Sequence, residues 1–179
     1  MTVSIRSAEP GDLDEIVAIF LACWRGSYAA VLPPALVERM TDAQAHDLWS
    51  AAFERRAGRM LVAVPAAGER PLGVSRVSFG GGDGGARDAA AVGVVESLYV
   101  SPAAQGAGIG RALLTAAVDA LAEAGATTAR LWVFAANRPS LDFYRSQGWT
   151  EDGGRRVQES FGEPELRLAR TITTDAGGR

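Results

Sequence analysis

One stretch constrains this chain more than any other: residues 94–114, VVESLYVSPAAQGAGIGRALL. An extended, β-branched run ends at Pro102, glycines stand at 106, 108 and 110, and helical periodicity starts at Ile109. The chain must pass from strand to helix through backbone that has almost no side-chain cover. Bare N–H groups at a helix start carry partial positive charge, so such a turn lets something negatively charged approach closely. A turn that merely permits tight strand–helix packing is the other reading of the same glycines.

Two phosphate fingerprints fail here. A G-x-G-x-x-G motif aligned on Gly106 requires glycine where Arg111 stands, and the next strand, ending LWVFA, lacks the carboxylate that motif needs. A G-x-x-x-x-G-K-[ST] loop needs lysine, and all 18 basic residues are arginine. What remains is Q-x-x-G-x-G, at Gln105, Gly108 and Gly110.

The rest of the chain reads as a mixed α/β domain over residues 1–172 with a polar tail at 173–179. VSIRSAE alternates as a strand, and Leu13, Ile16, Val17, Phe20 and Trp24 follow at helical spacing, with Asp12 and Glu15 resembling a capping box. ALVERM is a short helix, and Thr41 with Gln44 starts another. RMLVAV and PLGVSRVSF are strands, GGGDGGARD (80–88) is a glycine-rich loop, and AAVGVVESLYV is apolar on both faces and so central. A helix from Ile109 to about Ala124, the strand ARLWVFA, a short helix starting near Asn137 and two closing strands complete the order β-α-α-β-β-β-α-β-α-β-β. A formal net charge of −3 argues against a general nucleic-acid binder. No apolar run approaches the roughly 18 residues of a membrane helix, and no signal peptide is visible, so a cytoplasmic protein is expected. Cys23 reads as a small buried hydrophobe and the lone His46 as a surface residue, which leaves no metal cluster.

In its strand–turn–helix setting, Q-x-x-G-x-G resembles the diagnostic [QR]-x-x-G-x-[GA] motif of the GCN5-related N-acetyltransferase (GNAT) family. Downstream, ANRPSLDFYRSQGW resembles that family's N-x-x-A-x-x-x-Y-x-x-x-G-[FW] segment, with Asn137, Tyr144 and Gly148-Trp149 at matching places. IRSAEPGDLDEI and WRGSYAAVLP resemble its opening strand and first helix. The resemblance implies a twisted mixed sheet of about six to seven strands flanked by about four helices.

It also implies roles. Backbone at Leu98, Tyr99 and Val100 would hold the pantetheine arm of acetyl-CoA. Gln105, Gly106, Ala107, Gly108, Ile109, Gly110 and Arg111 would hold the pyrophosphate, and Asn137 would hydrogen-bond near the pantetheine. Tyr144 matches the general acid that meets the departing thiolate. With a phenol near 10 and a thiol near 8.5, full transfer is uphill by roughly 2 kcal/mol, so donating a hydrogen bond is an equal alternative. Glu96, on the strand of Leu98 and in phase with Val94 and Val100, is the candidate base, with burial raising its pKa; a water relay is the alternative. The family's usual strand carboxylates would fall at Val94 or near Phe134, both apolar here. A lysine-like amine, neutral about once in 10³ molecules at pH 7, needs a base more than an α-amine neutral about once in ten. Trp24, Arg25 and Tyr28 would line the pocket of a small-molecule amine or peptide acceptor, Arg25 suiting a carboxylate or phosphate on it. A non-catalytic acyl-CoA sensor is the alternative function, and the fold is compatible with a homodimer through the closing strands.

Overall fold

The computed structural model describes residues 2–55, 58–66, 68, 70–79, 91–159 and 161–173. The strands are β1 (Val3–Ser7), β2 (Gly58–Pro65), β3 (Gly73–Phe79), β4 (Val92–Val100), β5 (Thr128–Phe134), β6 (Thr150–Gln158) and β7 (Glu163–Thr171). The helices are α1 (Leu13–Arg25), α2 (Pro34–Arg39), α3 (Asp42–Glu54), α4 (Ile109–Glu123) and α5 (Arg138–Ser146), one more than the family resemblance implies, with ALVERM the short helix expected from the sequence. The glycine-rich stretch 80–88 and all of the tail beyond Thr173 lie outside the described residues.

Alternation decides what each strand faces. In β2, Leu61 and Ala63 point to one core and Val62 and Val64 to another, and all four are buried. The first core is filled by α4 through Leu113, Leu114 and Leu121, the second by α1 and α3 through Ile16, Phe20 and Trp49. Each such side chain contributes about 1.5–3 kcal/mol of burial. The sheet runs β1-β2-β3-β4-β5-β7-β6. Its neighbours are antiparallel except β4 and β5, which pair in parallel only over Val92–Val94 against Thr128–Arg130.

A bulge sits where that short pairing ends. Arg76 pairs with Ser97 and Val77 with Val95, so Glu96 is left over. Bulges bend and twist a strand, and the extra residue also switches its facing. Val95 lies in the α4-side core before it; Leu98 and Val100 pack there after it, while Tyr99 turns to the α1 side. The expected phase is therefore corrected: a straight strand would keep Glu96 in register with Val100, and the bulge breaks that register.

The caps divide likewise. Thr41 Oγ1 accepts from the Gln44 backbone N–H at 3.2 Å, and Gln44 Oε1 accepts from the Thr41 backbone N–H at 3.0 Å, a capping box at the helix start expected there. The box expected between Asp12 and Glu15 is displaced one turn: it joins Glu9 and Asp12 around a 3₁₀ turn at Pro10–Asp12. Asp12 is also claimed by Arg6, at 2.6 and 2.8 Å, which holds its carboxyl below the ordinary value.

Candidate active site

Where β4 and β5 part, the sheet opens on a cavity of about 450 Å³ walled by residues of both strands, with Trp24 and Tyr28 from the α1 end and Tyr144 from α5. Past Val94, the edge of β4 that met β5 has no strand partner among the described residues. Leu98 and Tyr99 lie on this wall. Beyond them the Val100 carbonyl accepts from Gln105 Nε2 at 3.1 Å and from the buried Cys23 Sγ at 3.2 Å, which ties the following turn to the strand end. Burial pushes the Cys23 thiol up to about 11, opposed by that bond.

The turn itself is bare. Gly106 and Gly108 have φ of 78° and 82°, and a Cβ at either would meet nothing within 4 Å. Left-handed backbone selects glycine there, since an L side chain would cost roughly 1–2 kcal/mol. Gly108 is the N-cap of α4, with no side-chain cap and no acidic residue in the first turn. Ile109 is buried and anchors the helix, whereas Ala107 and Arg111 are exposed. The first N–H groups of a helix have no intrahelical acceptor, so those of Ile109, Gly110 and Arg111 present a compact positive end. The cradle fits a pyrophosphate in sign, and no side chain at Gly106 or Gly108 blocks its approach.

Helical spacing turns Leu141 and Tyr144 inward together, and α5 starts at Asn137, whose Oδ1 accepts the Ser140 N–H at 3.2 Å. Asn137 is buried, its oxygen spent on this cap. Tyr144 is buried between Phe143 and Trp149, with ring centroids 5.2 and 6.1 Å away, and lines the cavity. Among the described residues its hydroxyl has no hydrogen-bond partner. Burial, then the neighbouring Tyr28, pushes its phenol well above the ordinary value. Ser97 Oγ, on the same wall, is buried and unpartnered.

At the other end of the cavity the walls are aromatic. Trp24 is buried, donates Nε1–H to the Val37 carbonyl at 3.1 Å, stacks on Tyr28 at 5.4 Å and meets Phe161 at 5.0 Å. It is core and wall at once. Burial raises Tyr28 to about 12, and burial raises Tyr99 as well, so both hydroxyls stay protonated. Arg25 is not brought here: it stands on the surface, ion-paired with Asp42 and absent from the lining. Glu96 does reach the wall, but exposed and ion-paired with Arg76, because the bulge carries it out of the core. The expectation of a buried carboxylate at 96 is thus corrected.

Sequence reasoning missed Phe134, Arg156, Phe161 and Glu165, which complete this end. The signal was present in PELRLAR: alternation puts Leu166 and Leu168 in the core and Glu165 and Arg167 on the opposite face. Pairing then sets Phe134, Glu165 and Arg156 in one row across β5, β7 and β6.

Comparison with known proteins gives this strand–cradle–helix arrangement its family. The chain matches the model of the Acetyltransferase (GNAT) family over residues 13–149 and belongs to that family. It is 32% identical over 168 residues to a mycothiol acetyltransferase of Nocardioides sp., covering 88% of this chain and 53% of the relative, so it spans about half the relative's length. A solved ribosomal-protein-alanine N-acetyltransferase from Brucella melitensis shares 25% identity at a TM-score of 0.71, over 94% of this chain and 99% of that one. The PaiA N-acetyltransferase of Thermoplasma acidophilum, solved with coenzyme A, superposes at 0.71 with 16% identity, over 96% and 99% of the two chains, and shares the fold. Among the described residues no helix is long and apolar enough to cross a membrane, and no cluster could hold a metal ion.

Proposed function

We propose that this chain transfers acetyl from acetyl-CoA to a primary amine on a small molecule or a protein N-terminus. The uncapped start of α4, behind two left-handed glycines and beside an unpaired strand edge, carries this reading. Gly106, Ala107, Gly108, Ile109, Gly110 and Arg111 hold the pyrophosphate through backbone N–H groups, with Gln105 bracing the turn. Leu98, Tyr99 and Val100 offer backbone to the pantetheine, and Asn137 and Ser97 offer polar groups beside it. Bound there, acetyl-CoA supplies an acyl thioester.

Tyr144 donates a hydrogen bond to the sulfur as charge develops on it. A phenol raised above 10 does not surrender its proton to a thiolate near 8.5, which favours the hydrogen-bonding role over full transfer. Trp24 and Tyr28 wall the acceptor. The ion pair with Arg76 commits Glu96, so the acceptor's proton leaves by water or by another carboxylate. The names of two relatives, a mycothiol and a ribosomal-protein-alanine acetyltransferase, span both acceptor classes.

The test is amine-dependent thiol release from acetyl-CoA across small amines and peptide N-termini. Tyr144→Phe should lower kcat about 10²-fold while leaving KM for acetyl-CoA within about twofold. Wild-type protein that releases no thiol with any amine would overturn the proposal.

A further inference from the structure

The mechanism leaves unused the one buried acid that, among the described residues, lines the cavity. Glu165 is 7% exposed, sits on β7 directly across from Phe134 and lines the cavity between β4 and β5. Its Oε2 accepts from Arg156 Nε at 2.7 Å, and the Arg156 guanidinium lies 4.3 Å from the Trp132 ring centroid, so the carboxylate is held from behind. Among the described residues its other oxygen has no hydrogen-bond partner. That second oxygen opens on the cavity rather than being sealed in the core, so an N–H donor can reach it there.

What surrounds it has the chemistry of an ammonium site. Tyr28 and Phe161 flank Phe134 at centroid distances of 5.9 and 6.0 Å, and Trp24 backs both of them. π-faces attract cations, and a carboxylate among them selects a cation that can donate N–H. Glu96 has neither property: it is exposed, and Arg76 takes it.

We infer that Glu165, framed by Tyr28, Phe134 and Phe161, is the carboxylate that receives the acceptor's primary ammonium. The inference rests on the amine-acceptor reading above and names the residue that reading lacks. Glu165 takes one proton from the ammonium, R–NH₃⁺ and carboxylate becoming R–NH₂ and carboxylic acid, and returns it to water. The nitrogen lone pair is then free, and Arg156 keeps the carboxyl in place.

The test needs no turnover. Benzylamine and benzyl alcohol, alike in shape and differing in the N–H cation, are titrated calorimetrically into the protein with and without CoA. Wild type should prefer benzylamine by at least about tenfold. Glu165→Gln, which keeps a partner for Arg156, should reduce that preference to about twofold or less while benzyl alcohol binds as before. Glu165→Asp, a second variant should the first not fold, keeps the charge but withdraws it and should lose part of the preference. Glu96→Gln should keep all of it. A wild type without preference, a preference that survives in Glu165→Gln, or one that vanishes in Glu96→Gln would each overturn the assignment. Failure of CoA to bind would instead sink the acetyl-transfer reading and leave the benzylamine result to stand on its own.

Discussion

The glycine turn and the cavity are made of different material. The turn is backbone: beside a strand edge with no partner among the described residues stand two left-handed glycines and a helix start with no side-chain cap. The cavity's α1 end is side chain: Trp24 in the last turn of α1 and Tyr28 just after it, Phe134 at the close of β5, and Phe161 and Glu165 around the last hairpin. The difference follows from what each must recognise. A pyrophosphate is met by any array of N–H groups of the right curvature, so the recognition element is a local run of sequence. An acceptor is distinguished by the side chains that touch it, and those come from segments far apart in the chain.

That contrast can be broken from either side. Phe20→Ala should have the largest effect on stability. Phe20 is 2% exposed and its ring meets Trp24, Trp49 and Tyr99 at 5.7, 6.0 and 5.3 Å. Its loss should cost about 3–5 kcal/mol by urea denaturation. Coenzyme A affinity of the folded protein should change far less, because the N–H groups at the start of α4 belong to the other core and Phe20 meets the proposed site only through the Tyr99 ring.

The alkaline limb of stability is a second probe. The neutral Tyr28 phenol is raised in the folded protein to about 12, against an ordinary value of about 10. The folded state therefore holds that proton more tightly than the unfolded one. The resulting stability is complete below pH about 10 and is lost as pH rises through about 12. Urea midpoints should fall across this window, and Tyr28→Phe should flatten the fall.

Smaller effects sharpen the comparison. Cys23, with its thiol raised to about 11 and bonded to Val100, should resist iodoacetamide at pH 8 until the protein unfolds, as mass spectrometry would register. Arg25→Ala should change least, leaving acceptor KM within about twofold, because Arg25 faces solvent with Asp42.

The same contrast explains how much was legible in the sequence. The bare turn before α4 and the inward-facing Tyr144 could be read because Gln105, Gly108, Gly110, Asn137 and Tyr144 lie at fixed short spacings along one strand–turn–helix and one helix. Strand and helix assignments came from periodicity and mostly agree with the structure, with the α3 start at Thr41 and Gln44 as predicted. The acceptor end was hidden by two things that periodicity cannot express. One is the bulge at Glu96, which moves a residue expected in the core onto an exposed ion pair. The other is strand order: β7 lies between β5 and β6, which sets Glu165 beside Phe134, far from it in sequence. Arg25 illustrates the same limit, since a residue one place beyond Trp24 on a helix points about 100° away.

The account rests most directly on the glycine cradle, and calorimetric titration of acetyl-CoA into wild type and Gly108→Trp tests it. A tryptophan at Gly108 meets no neighbouring atom within 4 Å of its Cβ, so the fold should survive with a modest loss from its left-handed backbone. The account predicts binding in the micromolar range by wild type and a loss of at least roughly 30-fold, about 2 kcal/mol, in the variant. Equal affinity in the two proteins, or no binding by wild type, would contradict it.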